Sequence, residues 1–561
     1  MQHNSLASVD PYSSSVSSSS YNWTSHYPEG LSWGAVIPSK PVFKILDEAV
    51  AAYADRPAID CEGTRLSYAE LGALVNRVAC GLQGLGIVKG TKVGLFLPNT
   101  PYTIAFYFAI LKAGGSVVNY NPLYVERELI HQVEDSETDF LVTIDNQALF
   151  DKADHVLENS RLKALIICPV PEGKVSIPAH QSYIHYRDLI DNDGVVKNVV
   201  IDPQEDIAVL QYTGGTTGSP KGAMLTHANL YANMWQIMLW HKPLVVEGQE
   251  RIVCALPLFH VFAMTVIMNM SVHLGMEIII VPKFAPDTMI GLLKEKKPTL
   301  FPAVPAIYNA IAAHPASHDL DLSHVKFCLS GGAPLPGGIK RAFEERTGAI
   351  VGEGYGLTEA SPVVTCNPLV GKVKVGSIGM PIPGTIVEIL SIEDGKTILP
   401  TGEHGEVCVR GQQVMKGYYK KPEDTAATIR EGRLHTGDVG YIDSEGYVHL
   451  VDRLKDLIIV RGYNVYPTQV EEAVSQHPAV QECIVAGVPD EERGETVWAW
   501  IKPRDGQSLT EKDMQAFLQD KISPIEIPRK IIIRDTPLPK TAVGKLSRKL
   551  LLEEEGIKKS S

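Results

Sequence analysis

The 561-residue chain has eight cysteines, and no two stand close together: Cys61, Cys80, Cys168, Cys254, Cys328, Cys366, Cys408 and Cys483. It has no Cys-x-x-Cys and no Cys/His run, so neither a disulfide framework nor a zinc site is supported. Cysteines scattered in this way act as small buried apolar residues and suit a reducing compartment. Basic excess is also missing: 52 Lys and Arg against 65 Asp and Glu leave a formal net charge of −13. Without a local basic patch such a chain repels nucleic acid, so no nucleic-acid partner is expected. An anionic substrate must instead be met by a few placed cations. The N-terminus has no basic region followed by an apolar one, which argues against a secretory signal. Its serine-rich stretch, residues 13–20, predicts a disordered tail over residues 1–30. With lone cysteines and no secretory signal, a cytoplasmic protein is expected. One run, residues 252–275, has no charged residue and enough length to cross a membrane. Pro257 breaks it early, and His260, Asn269, Ser271 and His273 place polar groups inside, so it reads as a buried apolar helix behind a strand and loop.

What is present alternates. Ser67 and Glu70 form a capping box, and Leu71, Leu74, Val75, Val78, Leu82 and Leu85 follow at helical spacing until Gly86. Strands are expected at residues 92–97, 116–119 and 140–144, with helices at 102–112 and 128–135. Strands separated by helices of that length argue for a parallel sheet. After Asp438 short alternating runs indicate antiparallel strands, and from Tyr466 onward a small α+β unit follows. The expected boundary lies at Leu454-Lys455-Asp456. The fold class is therefore α/β: a large N-terminal domain of stacked α/β sheets with a β-rich subdomain (residues 31–453), a hinge (454–456) and a small mobile α+β domain (457–561).

Residues 213–222 read Thr-Gly-Gly-Thr-Thr-Gly-Ser-Pro-Lys-Gly directly after an apolar strand. Gly214, Gly215 and Gly218 let backbone N–H groups approach an anion. Thr213, Thr216, Thr217 and Ser219 add hydroxyls, and Lys221 adds charge. The common NTPase loop needs Gly before Lys and Ser or Thr after it, and Lys221 has neither neighbour. Gly331, Gly332, Ala333 and Pro334 end a strand where a flat ligand can lie on bare backbone. Tyr355, Gly356, Thr358 and Glu359 supply an aromatic face, a gap, a hydroxyl and a hard oxygen ligand. His435-Thr436-Gly437-Asp438 puts a carboxylate in a turn, suited to vicinal ribose hydroxyls. Asp452-Arg453-Leu454-Lys455-Asp456 alternates charge, which a solvated strand edge also does. Lys545 ends a run stiffened by Pro537 and Pro539. Each motif alone has an ordinary reading: a linker, a βα turn, a structural histidine, a solvent-exposed lysine.

Together, in order and spacing, these motifs resemble the adenylate-forming superfamily of acyl-CoA synthetases, peptide-synthetase adenylation domains and firefly-type luciferases, over about residues 40–550. Residues 451–467 and Phe259-His260-Val261-Phe262-Ala263 look most like bacterial long-chain fatty-acid–CoA ligases. The resemblance implies ATP, Mg²⁺ and coenzyme A, and a two-step reaction: a carboxylate attacks the α-phosphate to give acyl-AMP and pyrophosphate, then the CoA thiolate displaces AMP. It implies that residues 213–222 with Lys221 hold the β- and γ-phosphates. Gly332, Ala333, Pro334 and Tyr355 hold adenine, Thr358 the α-phosphate, Glu359 the Mg²⁺, and Asp438 the ribose with Arg453 nearby. His260 is placed among the catalytic residues. Lys545 bridges the carboxylate and the α-phosphate, and the small domain rotates about Lys455 to bring Arg461, Gly462 and Tyr463 to pantetheine.

Gly356 in place of a bulky side chain implies an open acyl-pocket floor, with Met264 and His260 beside it. Flexible methionines suit a variable apolar chain, although core packing explains them equally well. A fatty acid is the expected substrate and peripheral contact with the inner face of a membrane the expected corollary. Medium-chain, dicarboxylic or aryl acids, or loading of a carrier protein, are the alternatives. Oligomeric state is not encoded in any feature read here.

Overall fold

The computed structural model describes residues 21–170, 175–213, 220–490, 492–540 and 546–557. It divides into two compact units, one formed by residues 1–387, 409–434 and 444–448, the other by 388–408, 435–443 and 449–561. The first unit holds two large sheets. In one, nine strands run in the order Met380–Pro381, Val363–Cys366, Val351–Gly356, Phe327–Ser330, Leu300–Ala303, Arg251–Cys254, Glu277–Ile280, Pro57–Cys61, Thr64–Ser67. The five consecutive neighbour pairs from Val351–Gly356 to Pro57–Cys61 are parallel, and the pairs at both edges are antiparallel. The other sheet has eight strands, with a parallel block running from Ile207–Thr213 through Ser116–Asn119, Lys92–Leu95, Phe140–Ile144 and Ala164–Cys168 to Tyr183–His185.

Local chemistry sets several elements. Ser67 Oγ accepts from Glu70 N at 3.2 Å, and the Glu70 carboxylate accepts from Ser67 N at 2.8 Å, so the expected capping box starts helix Tyr68–Gly84. Helix Pro101–Ala113 opens with proline at its first position and is almost wholly buried, as a helix between strands must be. The uncharged run takes up strand Arg251–Cys254 after its first residue, then forms π-helix Ala263–Asn269 and helix Met270–His273, with residues 263–272 all buried. Among the described residues no helix is long and apolar enough to cross a membrane.

The second unit carries most of a small five-stranded sheet and a second sheet ordered Tyr463–Val465, Ile458–Val460, Gly494–Pro503, Val480–Asp490, with Lys530–Ile533 paired to Gly494–Pro503. Helices Pro467–Ser475 and Glu511–Leu518 pack their apolar faces on it through Val470, Val474, Met514 and Leu518. Two expectations are corrected. Within the tail expected to be disordered, Asn22–His26 forms a 3₁₀ turn with Trp23 only 2% exposed and stacked on Tyr21 at 4.6 Å. An indole buried to that extent anchors a segment its composition marks as loose. Residues 1–20 lie outside the described part. Asp438 does not sit in a turn: it lies inside the ten-residue strand Arg433–Ile442, where Gly437 at φ +69° supplies the irregularity that had looked like one. All eight cysteines are free, six of them buried.

Candidate active site

In the first unit the site residues gather where the parallel strands Phe327–Ser330 and Val351–Gly356 end, the usual ligand edge of an open α/β sheet. Gly332 holds φ +76°, which favours glycine, and a Cβ on Gly331 would press on the Phe262 ring at 3.0 Å, so both positions favour bare backbone. That contact seats the His260 segment against the strand ends. Glu353 fastens the loop that follows: its Oε1 accepts from Leu335 N at 3.0 Å. Burial pushes the Glu353 carboxyl up to about 7, against the weaker pull of that bond and of Lys340. Thr358 and Glu359 form a 3₁₀ turn, tied to the π-helix by Thr265 Oγ1 donating to Ser361 O at 2.8 Å.

His260 opens the apolar helix, its Nδ1 accepting from Phe262 N at 3.2 Å. Met264 is fully buried, its sulfur 3.7 Å from Asn119 Nδ2, which donates to Gln211 Oε1 at 2.8 Å. The open-floor reading of Gly356 meets a physical objection. A Cβ there would fall 2.2 Å from the carbonyl oxygen of Pro362, the residue that leads into the antiparallel neighbour Val363–Cys366, so that backbone by itself demands glycine.

Lys221 begins strand Lys221–Thr226, which pairs antiparallel with Ile207–Thr213, Thr213 facing Lys221. A Cβ on Gly222 would press on the Tyr212 ring at 3.1 Å, so the position favours glycine. The Lys221 ammonium pairs with Asp424 and lies 5.3 Å from the centre of the Tyr418 ring. The Tyr418 hydroxyl donates to Glu359 Oε1 at 2.7 Å, and burial together with that carboxylate keeps the phenol protonated far above its ordinary range. Tyr418 and Asp424 went unnoticed in the sequence. Gly214, Gly215, Thr216, Thr217, Gly218 and Lys545 lie outside the described residues.

In the second unit Asp438, 6% exposed, pairs with Arg453 at 3.1 Å. Glu406 clamps the approach to it: Oε1 accepts from Gly437 N at 3.1 Å and Oε2 contacts His435 Nδ1 at 2.7 Å. Cys408 Sγ lies 3.4 Å from the same nitrogen, which brings three metal-type ligand atoms together although cysteine and histidine are far apart in sequence. Hydrogen bonding to His435 and Gly437 accounts for the arrangement. Lys455 sits in the 3₁₀ turn Leu454–Asp456. Arg461 and Gly462, both at positive φ, make a two-residue hairpin turn between Ile458–Val460 and Tyr463–Val465. A Cβ on Gly462 would meet nothing within 4 Å, and Tyr463 is 67% exposed.

Residues 46–419 match the family model described as AMP-binding enzyme, and residues 469–545 match the AMP-binding enzyme C-terminal domain. The chain belongs to the AMP-binding enzyme family. It is 42% identical over 552 residues to a Long-chain-fatty-acid--CoA ligase of Bacillus subtilis (strain 168), covering 95% of this chain and 98% of that one. It is 37% identical over 558 residues, with the same coverage, to the protein of the same name from Escherichia coli O6:H1. Among solved structures, ATP-bound MatB from Rhodopseudomonas palustris is similar at TM-score 0.83 and 30% identity, covering 92% of this chain and 99% of that chain. The family's two-domain α/β architecture agrees with the fold class read from the sequence.

Proposed function

We propose that this chain is an AMP-forming fatty-acid–CoA ligase: it joins a fatty acid to ATP as acyl-AMP and then transfers the acyl group to coenzyme A. The observation that carries the reading is one constellation. Lys221 and Glu359, a cation and a hard oxygen ligand, are held within reach of one tyrosine beside glycine-lined strand ends. The substrate class rests on identity along nearly the whole length to relatives of that name.

Adenine lies on Gly332, Ala333 and Pro334 beside Tyr355, and Asp438 accepts from the ribose hydroxyls with Arg453 at its side. Thr358 meets the α-phosphate, and Thr213 with Lys221 meets the outer phosphates, together with Gly214, Gly215, Thr216, Thr217 and Gly218. ATP enters as its Mg²⁺ complex, and the ion offsets charge on the phosphate oxygens while Glu359 supplies a carboxylate of the kind Mg²⁺ accepts. Lys545 neutralises the meeting of carboxylate and α-phosphate, where two anions otherwise repel. The domain after the Leu454–Asp456 hinge then turns about Lys455, and the open Arg461-Gly462-Tyr463 corner admits pantetheine. The buried stretch around Met264 receives the acyl chain, with His260 at its mouth. A substrate that partitions into lipid brings the protein into peripheral contact with a membrane.

The test is pyrophosphate release across acids of rising chain length, with aryl and dicarboxylic acids included and with coenzyme A or a carrier protein as acceptor. Release that depends on fatty acid, with thioester formed on free coenzyme A, is expected. A preference for aryl acids, or thioester on carrier protein alone, would replace the substrate or acceptor assigned here.

A further inference from the structure

We propose that Asp424 is a built-in counter-ion for Lys221, one that ATP and pyrophosphate must displace and AMP does not, so that it loosens the hold on the outer phosphates and eases the departure of pyrophosphate. The inference rests on the reading of Lys221 as a phosphate-binding residue. Lys221 and Asp424 are 203 positions apart in sequence, yet the segments that carry them are hydrogen-bonded to each other. Strand Gly417–Tyr418 pairs antiparallel with Lys221–Thr226, Tyr418 facing Ala223 and Gly417 facing Met224, and Tyr419 N donates to Gly222 O at 2.8 Å. The chain then turns tightly into helix Pro422–Thr428: Tyr418 N donates to Thr425 Oγ1 at 2.9 Å, and that hydroxyl donates to Lys421 O at 2.8 Å. A Cβ on Gly417, at φ +143°, would meet Thr425 at 2.7 Å, so the turn closes only over glycine. Asp424 is thus delivered to Lys221 by a braced scaffold rather than by two long side chains meeting in solvent.

One short stretch engages both charges that the phosphate chemistry uses. Its Asp424 pairs with Lys221, and its Tyr418 donates to Glu359 while lying beside Lys221. A ligand that takes Lys221 gains only the excess of its own attraction over that of the carboxylate it displaces. The outer phosphates of ATP carry enough charge to do so. AMP carries a single phosphate at the α position, does not reach Lys221, and leaves the pair closed. Departure of pyrophosphate lets Asp424 return, so the resting charge of the site is restored before the thiol step.

The test is a double-mutant cycle of Asp424→Asn and Lys221→Gln in the full chain. It is read as KM for ATP and inhibition constants for pyrophosphate and AMP in initial-rate assays. Both partners are partly exposed, at 28% and 38%, and pairs of that kind contribute about a two- to five-fold effect. Asp424→Asn is expected to lower KM for ATP and the pyrophosphate inhibition constant by about that factor, to leave AMP inhibition unchanged, and to do nothing in the Lys221→Gln background. An unchanged or raised KM in Asp424→Asn, a tighter AMP, or the same effect without Lys221 overturns the proposal. If Lys221→Gln raises KM and Asp424→Asn is silent, only the counter-ion role falls. If Lys221→Gln itself leaves KM unchanged, the phosphate reading of Lys221 falls and takes this inference with it. A lower melting temperature with unaltered constants would mark Asp424 as a helix-start acid and refute the idea as well.

Discussion

Arg548 should be among the most costly side chains to remove from the second unit. It opens helix Arg548–Glu554, three residues after Lys545, and its guanidinium is shared among three carboxylates: Glu471 at 2.7 Å, Asp456 at 3.3 Å and Asp452 at 3.6 Å. Its remaining donors meet Thr468 Oγ1 at 3.2 Å and Val485 O at 3.0 Å. Asp452, whose side chain is 1% exposed, also accepts from Thr468 N at 2.6 Å, and Glu471 accepts from Val485 N at 2.8 Å. Burial pushes the Glu471 carboxyl up to about 7, while Arg548 pulls it down. Arg548→Met keeps the stem and strands these carboxylates. Breaking a buried pair from one side costs about 3–5 kcal/mol, and the 20% exposure of Arg548 places the expected loss near the lower end, about 3 kcal/mol. The sign with pH follows from Glu471. Its folded value already lies above its unfolded one and rises further without the arginine, so ionising it opposes folding as pH climbs. The loss should therefore be larger at pH 8 than at pH 6. Adding Glu471→Gln removes a stranded charge and should restore about 1–2 kcal/mol, whereas Arg548→Lys, with charge but no fork, should fall between. Amide exchange across strands Val480–Asp490 and Gly494–Pro503 reads these losses locally. A loss under about 1 kcal/mol, equal losses at the two pH values, or a deeper defect in the Arg548→Met/Glu471→Gln pair would refute the reasoning.

Lys545→Ala should slow acyl-AMP formation by about 10²–10³-fold or more while still converting supplied acyl-AMP to thioester. Equal loss of both half-reactions, measured separately, would count against a lysine used in the first step alone. Gly356→Ala should destabilise the first unit by about 1–3 kcal/mol, because its Cβ would meet the Pro362 carbonyl at 2.2 Å, and should depress turnover with every acid. Loss confined to long chains, at an unchanged melting temperature, would restore Gly356 as the pocket floor. Glu353→Gln keeps an acceptor for Leu335 N and removes a buried titration. In the parent the Glu353 value of about 7 exceeds the unfolded value, so its protonated form favours the fold at low pH and that advantage is lost as pH rises toward 7. The variant should show a flatter melting-temperature profile between pH 5 and 8, and an identical slope in both proteins would overturn the assignment.

Much of the scaffold was legible because it is locally determined. The Ser67–Glu70 box spans four residues, and strands Ser116–Asn119 and Phe140–Ile144 are short apolar runs bounded by helices, so their limits could be read to the residue. The glycines at 331 and 332 were legible as a bare strand end for the same reason. Tyr418 and Asp424 were not, since their meaning appears only when Gly417–Tyr418 adds to the edge of a hairpin some 200 positions earlier. Glu406, His435 and Cys408 were hidden likewise, by strand register rather than by spacing. Gly356 carries a second reason for its glycine that its own sequence neighbours do not reveal: the Pro362 carbonyl already fills the space a side chain would take. A glycine in a site motif therefore carries two distinct messages, open space for a ligand or no space for a Cβ. A Cβ on Gly462 would meet nothing within 4 Å, whereas one on Gly356 would meet backbone, and the position of the neighbouring chain separates the two cases.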